Sequence, residues 1–176
     1  MGIEIRQATP NDASAACLLL RRSIEEGCVP DHGGRPEILQ AWLGNKTTQN
    51  VQSWFASSSN YAVVAECGVG EGRTLAGLAL LNQAGRLALC YVDPAMLKSG
   101  VGAALLAAVE VQARAWNIGK LFMHAPSSAS AFFERQGYIN SGKDKACFGM
   151  ECDFLWKPMD ACAVPGDKRF CKCAAQ

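Results

Sequence analysis

The stretch LCYVDPAMLKSGVGAALL, residues 89–106, runs from an apolar strand through Asp93-Pro94 and a short loop into Gly100-Val101-Gly102, then directly into an alanine- and leucine-rich helix. Two glycines at such a handover have several readings. A dinucleotide-binding turn needs G-x-G-x-x-G early in a βαβ unit, with an acidic residue about 20 positions further on. Here Leu105 stands where the third glycine belongs, and the loop lies past the middle of the chain. A phosphate loop of the G-x-x-x-x-G-K-[ST] kind is absent. What remains is either a tight turn feeding a buried helix, or a backbone left open so that an anion can approach the helix N-terminus.

The flanking sequence places this handover in a fold. YAVVAEC (61–67), TLAGLALLN (74–82) and GRLALCYVD (85–93) read as three strands of an antiparallel meander. After the glycines the helix spans about Val101 to Trp116. GKLFMHA (119–125) is a strand, SSASAFFERQ (127–136) a helix closed by Gly137, and YINSGKD (138–144) with CFGMECDFLWKP (147–158) a final hairpin. At the other end, Ile3 to Gln7 alternates and stops at TPND, a helix-start signal with Asn11 or Asp12 as N-cap. ASAACLLLRRSIEEG (13–27) is helical, VPDHGGRP (29–36) reads as a loop, and residues 36–45 and 45–59 give two further helices, the first opened by Pro36. This order predicts an α+β fold with a mixed, mostly antiparallel central sheet flanked by helices, and one parallel strand pair across the crossover helix.

With 176 residues the chain is one domain's length and can bury a core. Its 17 basic and 16 acidic residues leave a net charge near +1, which gives no electrostatic footprint for nucleic acid. No run approaches the ~20 apolar residues of a membrane span. The start, MGIEIRQATPND, lacks a signal-peptide pattern, so the expected location is cytoplasmic. The nine cysteines form no paired CxxC framework. Cys17, Cys67 and Cys90 sit in apolar stretches as small hydrophobes. Cys162, Cys171 and Cys173 lie in the tail, and no metal site is expected, because zinc wants four well-spaced ligands. Residues 1–158 read as the folded domain and 159–176 as a cysteine-containing extension.

Taken together, the strand ending in Val92-x-Pro94, the loop with Gly100 and Gly102, and Ala129, Phe132, Gly137 and Tyr138 after the next strand resemble the GNAT superfamily of N-acetyltransferases, in a bacterial branch. The resemblance covers about residues 1–158. It implies acetyl-CoA as co-substrate, with its pyrophosphate on the backbone of Leu97, Lys98, Ser99, Gly100, Val101, Gly102 and Ala103. It further implies a pantetheine arm between two strands that splay apart, Leu87–Val92 and Lys120–Ala125, and a backbone N–H near Tyr91–Val92 that donates to the thioester carbonyl as an oxyanion-hole donor does. Three positions depart from the family pattern. Leu97 replaces an Arg or Gln, with Lys98 beside it able to supply the charge. Pro126 replaces an Asn, its contact passing to Ser127 or Ser128. Phe133 replaces the Tyr that protonates the leaving thiolate, which leaves Tyr138, Tyr91 or water as the acid.

His124 is the first choice of general base, because imidazole titrates near neutral pH; a hydrogen-bonded sheet histidine without a catalytic role is the alternative. Asp31 and His32 belong to the region that implies an acceptor wall, Glu66 is a weaker option, and water-mediated deprotonation needs none of them. Trp42, Trp54 and Phe55 line the acceptor pocket or belong to the core. The reading is an N-acetyltransferase acting by direct attack of an amine of a small metabolite or peptide. The alternative is an acyl-CoA-binding sensor without efficient catalysis. A homodimer is expected only by analogy with similar proteins.

Overall fold

A computed structural model describes residues 2–68 and 72–159. Strand β1 (Ile3–Gln7) leads through a short turn into α1 (Ala13–Arg22), whose last turn widens over Ser23–Gly27. Three short helices follow: α2 (Val29–His32), α3 (Pro36–Leu43) and α4 (Thr48–Ala56). The loop expected over 29–36 thus contains a helical turn. Pro30 fits its first turn, where no N–H is needed, and Gly33 ends it at φ +57°. Strands β2 (Asn60–Cys67), β3 (Thr74–Asn82) and β4 (Leu87–Val92) form the meander. Then come α5 (Val101–Ala115), β5 (Lys120–Pro126), α6 (Ser127–Arg135), β6 (Ile139–Cys147) and β7 (Met150–Pro158).

The strands build two antiparallel sheets, ordered β1-β2-β3-β4 and β5-β7-β6. They join through one parallel bridge, Arg86 with Phe122, where the Phe122 N–H donates to Gly85 O at 3.0 Å. The expected parallel pair is reduced to this hinge. Beyond it β4 and β5 separate, so the sheet opens as a wedge towards the C-terminal ends of both strands.

Period-two alternation assigns the faces. Val63, Ala65, Ala79 and Leu81 point to one side and pack with Leu105 and Val109 of α5 and with Leu121, Met123 and Leu155. Val64, Leu78 and Leu80 point to the other and pack with Ala16 and Leu20 of α1 and Val51 of α4. A third cluster joins Ile38 and Trp42 of α3 to Met150 and Cys152 of β7. Trp42 is buried and donates through Nε1 to the Tyr91 hydroxyl at 3.1 Å, which makes it a core residue. Trp54 and Phe55 pack at the margin of the α1–α4 cluster.

Candidate functional site

The wedge is lined by backbone that no strand pairs. Asp93 N–H donates to Ala76 O at 2.8 Å. Bonds in an antiparallel ladder alternate, so the Tyr91 amide faces β3, opposite Leu78, while Val92 and Cys90 face the gap towards β5. The carbonyl of Val92 accepts from Ser23 Oγ at 3.0 Å, which pins the end of α1 over the gap and leaves the Val92 N–H as a donor into it. The Tyr91 side chain turns the other way, buried beside Trp42. Burial pushes its phenol pKa up, with the Trp42 hydrogen bond opposing.

Beyond Val92, Asp93 closes the turn by accepting from the Ala95 N–H at 2.8 Å. The loop then adopts two left-handed residues, Lys98 at φ +62° and Gly100 at φ +93°. Gly100 is the N-cap of α5, and the first intrahelical bond is Ala104 N–H to Gly100 O. Among the described residues the N–H groups of Lys98, Gly100, Val101, Gly102 and Ala103 have no acceptor. Successive N–H groups in such a turn converge on one concavity, and the dipole of a 15-residue helix adds to it. A Cβ on Gly100 would meet only Ile3 Cδ1, at 3.9 Å, so the concavity is open. This arrangement suits a phosphate-type anion. The side chains of Leu97, Lys98 and Ser99 are exposed around it.

The two glycines answer different demands. Gly100 supplies a backbone angle that L-residues rarely adopt. Gly102 supplies space: a Cβ there would lie 2.9 Å from Cζ of Phe132. Phe132 of α6 therefore packs directly on the first turn of α5, edge-to-face with Phe133 at 5.1 Å. Phe133 is buried and contacts Tyr138 at 5.7 Å. Tyr138 is buried too, its ring 5.5 Å from Lys157 Nζ and its hydroxyl without a partner among the described residues. Burial first, and then the charge of Glu110, push its pKa up.

On the opposite wall of the wedge, His124 faces away from Leu121, Met123 and Ala125, as its alternation predicts. Its register partner is Phe154, 5.2 Å away, and Nε2 lies 2.8 Å from Asp144 Oδ2 of β6. Cys152 shares this face, and it packs with α3 residues, so His124 opens towards the side of the sheet that carries α1–α3. Asp144 is a partner that sequence spacing alone did not bring to His124, because β7 lies between β5 and β6.

Asp31 and His32 sit in α2. The Asp31 carboxylate accepts from the Ser128 N–H at 3.1 Å and from the Ser128 hydroxyl at 2.5 Å, capping α6 from outside the helix. His32 is buried. Its Nδ1 accepts from the Gly34 N–H at 2.9 Å, and its Nε2 has no partner among the described residues. A cleft of about 410 Å³ opens here between α2, the start of α6 and the β6–β7 hairpin. Glu66 is engaged elsewhere, accepting from Arg6 Nη2 at 2.6 Å. Among the described residues no three His, Cys, Asp or Glu side chains are grouped to hold a metal, and no helix is long and apolar enough to cross a membrane. The tail cysteines, Cys162, Cys171 and Cys173, lie outside the described residues.

Residues 28–152 match the family model described as acetyltransferase (GNAT) domain. No curated protein matches the chain. Among solved structures, the chain is similar to a GCN5-related N-acetyltransferase from Rhodopseudomonas palustris, with 22% identity, 90% of this chain and 96% of that chain covered, and a TM-score of 0.76. It is similar to the PaiA N-acetyltransferase of Thermoplasma acidophilum, solved in complex with coenzyme A (18% identity, 90% and 99% covered, TM-score 0.73). A third is YncA of Salmonella typhimurium, solved with its cofactor acetyl-CoA (19% identity, 94% and 98% covered, TM-score 0.66).

Proposed function

Because the chain belongs to the GNAT acetyltransferase family, we propose that it transfers the acetyl group of acetyl-CoA to the amine of a small acceptor, in one step without a covalent enzyme intermediate. The observation that carries this reading is the set of unpaired backbone donors at Lys98 and Gly100–Ala103, set at the mouth of a wedge whose inner edge presents the Val92 N–H. Acetyl-CoA supplies an activated acyl group. The chain's own groups hold and orient it.

In this reading the five N–H groups bind the pyrophosphate, with the exposed Lys98 ammonium adding charge where Leu97 offers none. The Val92 N–H points at the carbonyl oxygen, where negative charge grows during attack. His124 takes a proton from the amine through Nδ1, since Asp144 occupies Nε2 and fixes the ring. Phe133 has no proton to give. Tyr138, with an unpartnered hydroxyl and a raised pKa, acts as a hydrogen-bond donor to the departing sulfur rather than as a strong acid. As the N–C bond forms and the C–S bond breaks, the bound ammonium loses two protons in all; one reaches the sulfur and the other passes through His124 to solvent, so the balance closes.

The test is thiol release from acetyl-CoA across a panel of primary amines. His124→Gln is expected to lower kcat about 10²-fold or more, as loss of a general base does, without changing acetyl-CoA affinity. Tight acetyl-CoA binding with no thiol release from any amine would favour the sensor reading instead.

A further inference from the structure

The cleft between α2, the start of α6 and the β6–β7 hairpin has a charge pattern that a simple amine does not explain. Its wall includes Asp31, Arg35, Ser127, Lys143 and Glu151. Lys143 is neutralised, 2.8 Å from Asp153 Oδ1, and it also reaches the Ser127 hydroxyl. Arg35 is not. Its Nε donates to His32 O at 3.2 Å and Nη2 to Asp31 O at 3.5 Å, and it has no carboxylate partner among the described residues. These two backbone contacts hold one edge of the guanidinium against the end of α2 and leave the rest of the fork open. On the acidic side, Asp31 accepts only from the neutral donors of Ser128, and the exposed Glu151 forms no ion pair among the described residues.

Resting on the acetyltransferase reading, we infer that the acceptor is an amino-acid-type zwitterion, and that Arg35 is the specificity-determining residue that binds its carboxylate. A guanidinium already held in place takes a planar oxyanion through two parallel N–H bonds and loses little side-chain entropy in doing so. Asp31 and Glu151 supply the complementary charge for the amino end before it is deprotonated. A polycation would face the unpaired Arg35 guanidinium, and a simple amine would leave the Arg35 fork unused. The cleft volume, about 410 Å³, lies towards the small end of ligand pockets and fits a single amino acid.

The experiment compares phenylalanine with phenethylamine and leucine with isoamylamine, in wild type and in Arg35→Met and Arg35→Lys. Thiol release is measured, and so is calorimetric binding to the CoA-loaded protein. Arg35 is exposed, so the variants keep the core intact. Wild type is expected to favour the carboxylate-bearing member at least about tenfold in both readouts, the scale of one charge-assisted contact. In Arg35→Met that preference disappears through KM with kcat little changed, the decarboxylated amines are unaffected, and Arg35→Lys recovers part of it. Turnover without carboxylate preference, or equal losses for both members of a pair, overturns the inference alone. Carboxylate-selective binding that Arg35→Met abolishes, with no thiol release, supports the inference and sinks the acetyltransferase reading. Neither binding nor turnover overturns both.

Discussion

Replacing Gly102 with alanine separates packing from ligand approach at the α5 N-terminus. The new Cβ would sit 2.9 Å from Phe132 Cζ and 3.3 Å from Cε2, against an ordinary carbon contact of about 3.5–4.0 Å. The ring must yield by more than half an ångström, as a rough figure from those contact distances, yet it is braced by Phe133. Overpacking of this kind costs about 1–3 kcal/mol, and alanine's better helix propensity returns about 0.5–1 kcal/mol. The net loss is therefore about 0.5–2 kcal/mol. Phe132→Leu clears the space, so in the double variant the alanine penalty vanishes, a coupling of about 0.5–2 kcal/mol. Gly100→Ala behaves differently. Its Cβ meets only Ile3 Cδ1 at 3.9 Å, but φ is +93°, so it loses about 1–2 kcal/mol to backbone strain that Phe132→Leu does not relieve. Urea unfolding of the wild type, the three single variants and the two double variants measures these values. Because the Gly102 N–H survives the substitution, acetyl-CoA affinity should stay within about threefold of wild type. A Gly102→Ala protein of full stability that no longer binds acetyl-CoA would refute this reasoning, and so would zero coupling to Phe132.

Three further outcomes are expected. Lys46 is 3% exposed, with Nζ 2.6 Å from Asn45 Oδ1 and near the rings of Phe148 and Trp54, and burial pulls its pKa down to about 8. The unfolded chain therefore binds more protons between about pH 8 and 10.4, so stability should rise with pH across that window by up to about 3 kcal/mol; urea midpoints at pH 7.5 and 10 check this, and in Lys46→Met the rise should be gone. Arg6 holds Asp12 through two bonds of 2.7 and 2.9 Å and, more than any other contact, lowers the Asp12 pKa to about 2. That stabilisation is complete above about pH 4 and lost as pH falls through 2, worth about 1–2 kcal/mol after solvent screening, so Asp12→Asn should flatten the acid limb of a thermal-melt series. Ser128→Ala removes one donor to Asp31 at the start of α6 and should cost about 1 kcal/mol with little change in acetyl-CoA affinity; a tenfold weaker affinity in titration would make Ser128 a cofactor contact first.

The strands and main helices were legible because their signals are local. Alternation marked Ile3–Gln7 and the meander, and glycine and proline punctuated α1, α5 and α6. The Val29–His32 turn was hidden because Pro30 and the two following glycines read as loop chemistry, although proline is well suited to a first turn. The open turn at the start of α5 was legible from Gly100 and Gly102, but the reason for Gly102 was not: it depends on Phe132, thirty residues away and on another helix. The same limit hid Asp144 beside His124, Asp31 beneath Ser128 and the buried ammonium of Lys46. Each depends on side chains from different elements meeting across a register or a layer. Lys46 falls in the stretch 45–59 read as a helix, which in the structure starts only at Thr48, and the arrival of Phe148 and Trp54 turns its side chain inward.

The most direct test is a ¹H–¹⁵N NMR titration of the assigned protein with acetyl-CoA. The account predicts that the amides of Lys98, Gly100, Val101, Gly102 and Ala103 move together and downfield on saturation, with Val92 following, while the Tyr91 amide, which faces β3, moves little. Binding that leaves these amides unmoved, or no binding at all, would contradict the claim that this strand-to-helix loop holds the pyrophosphate.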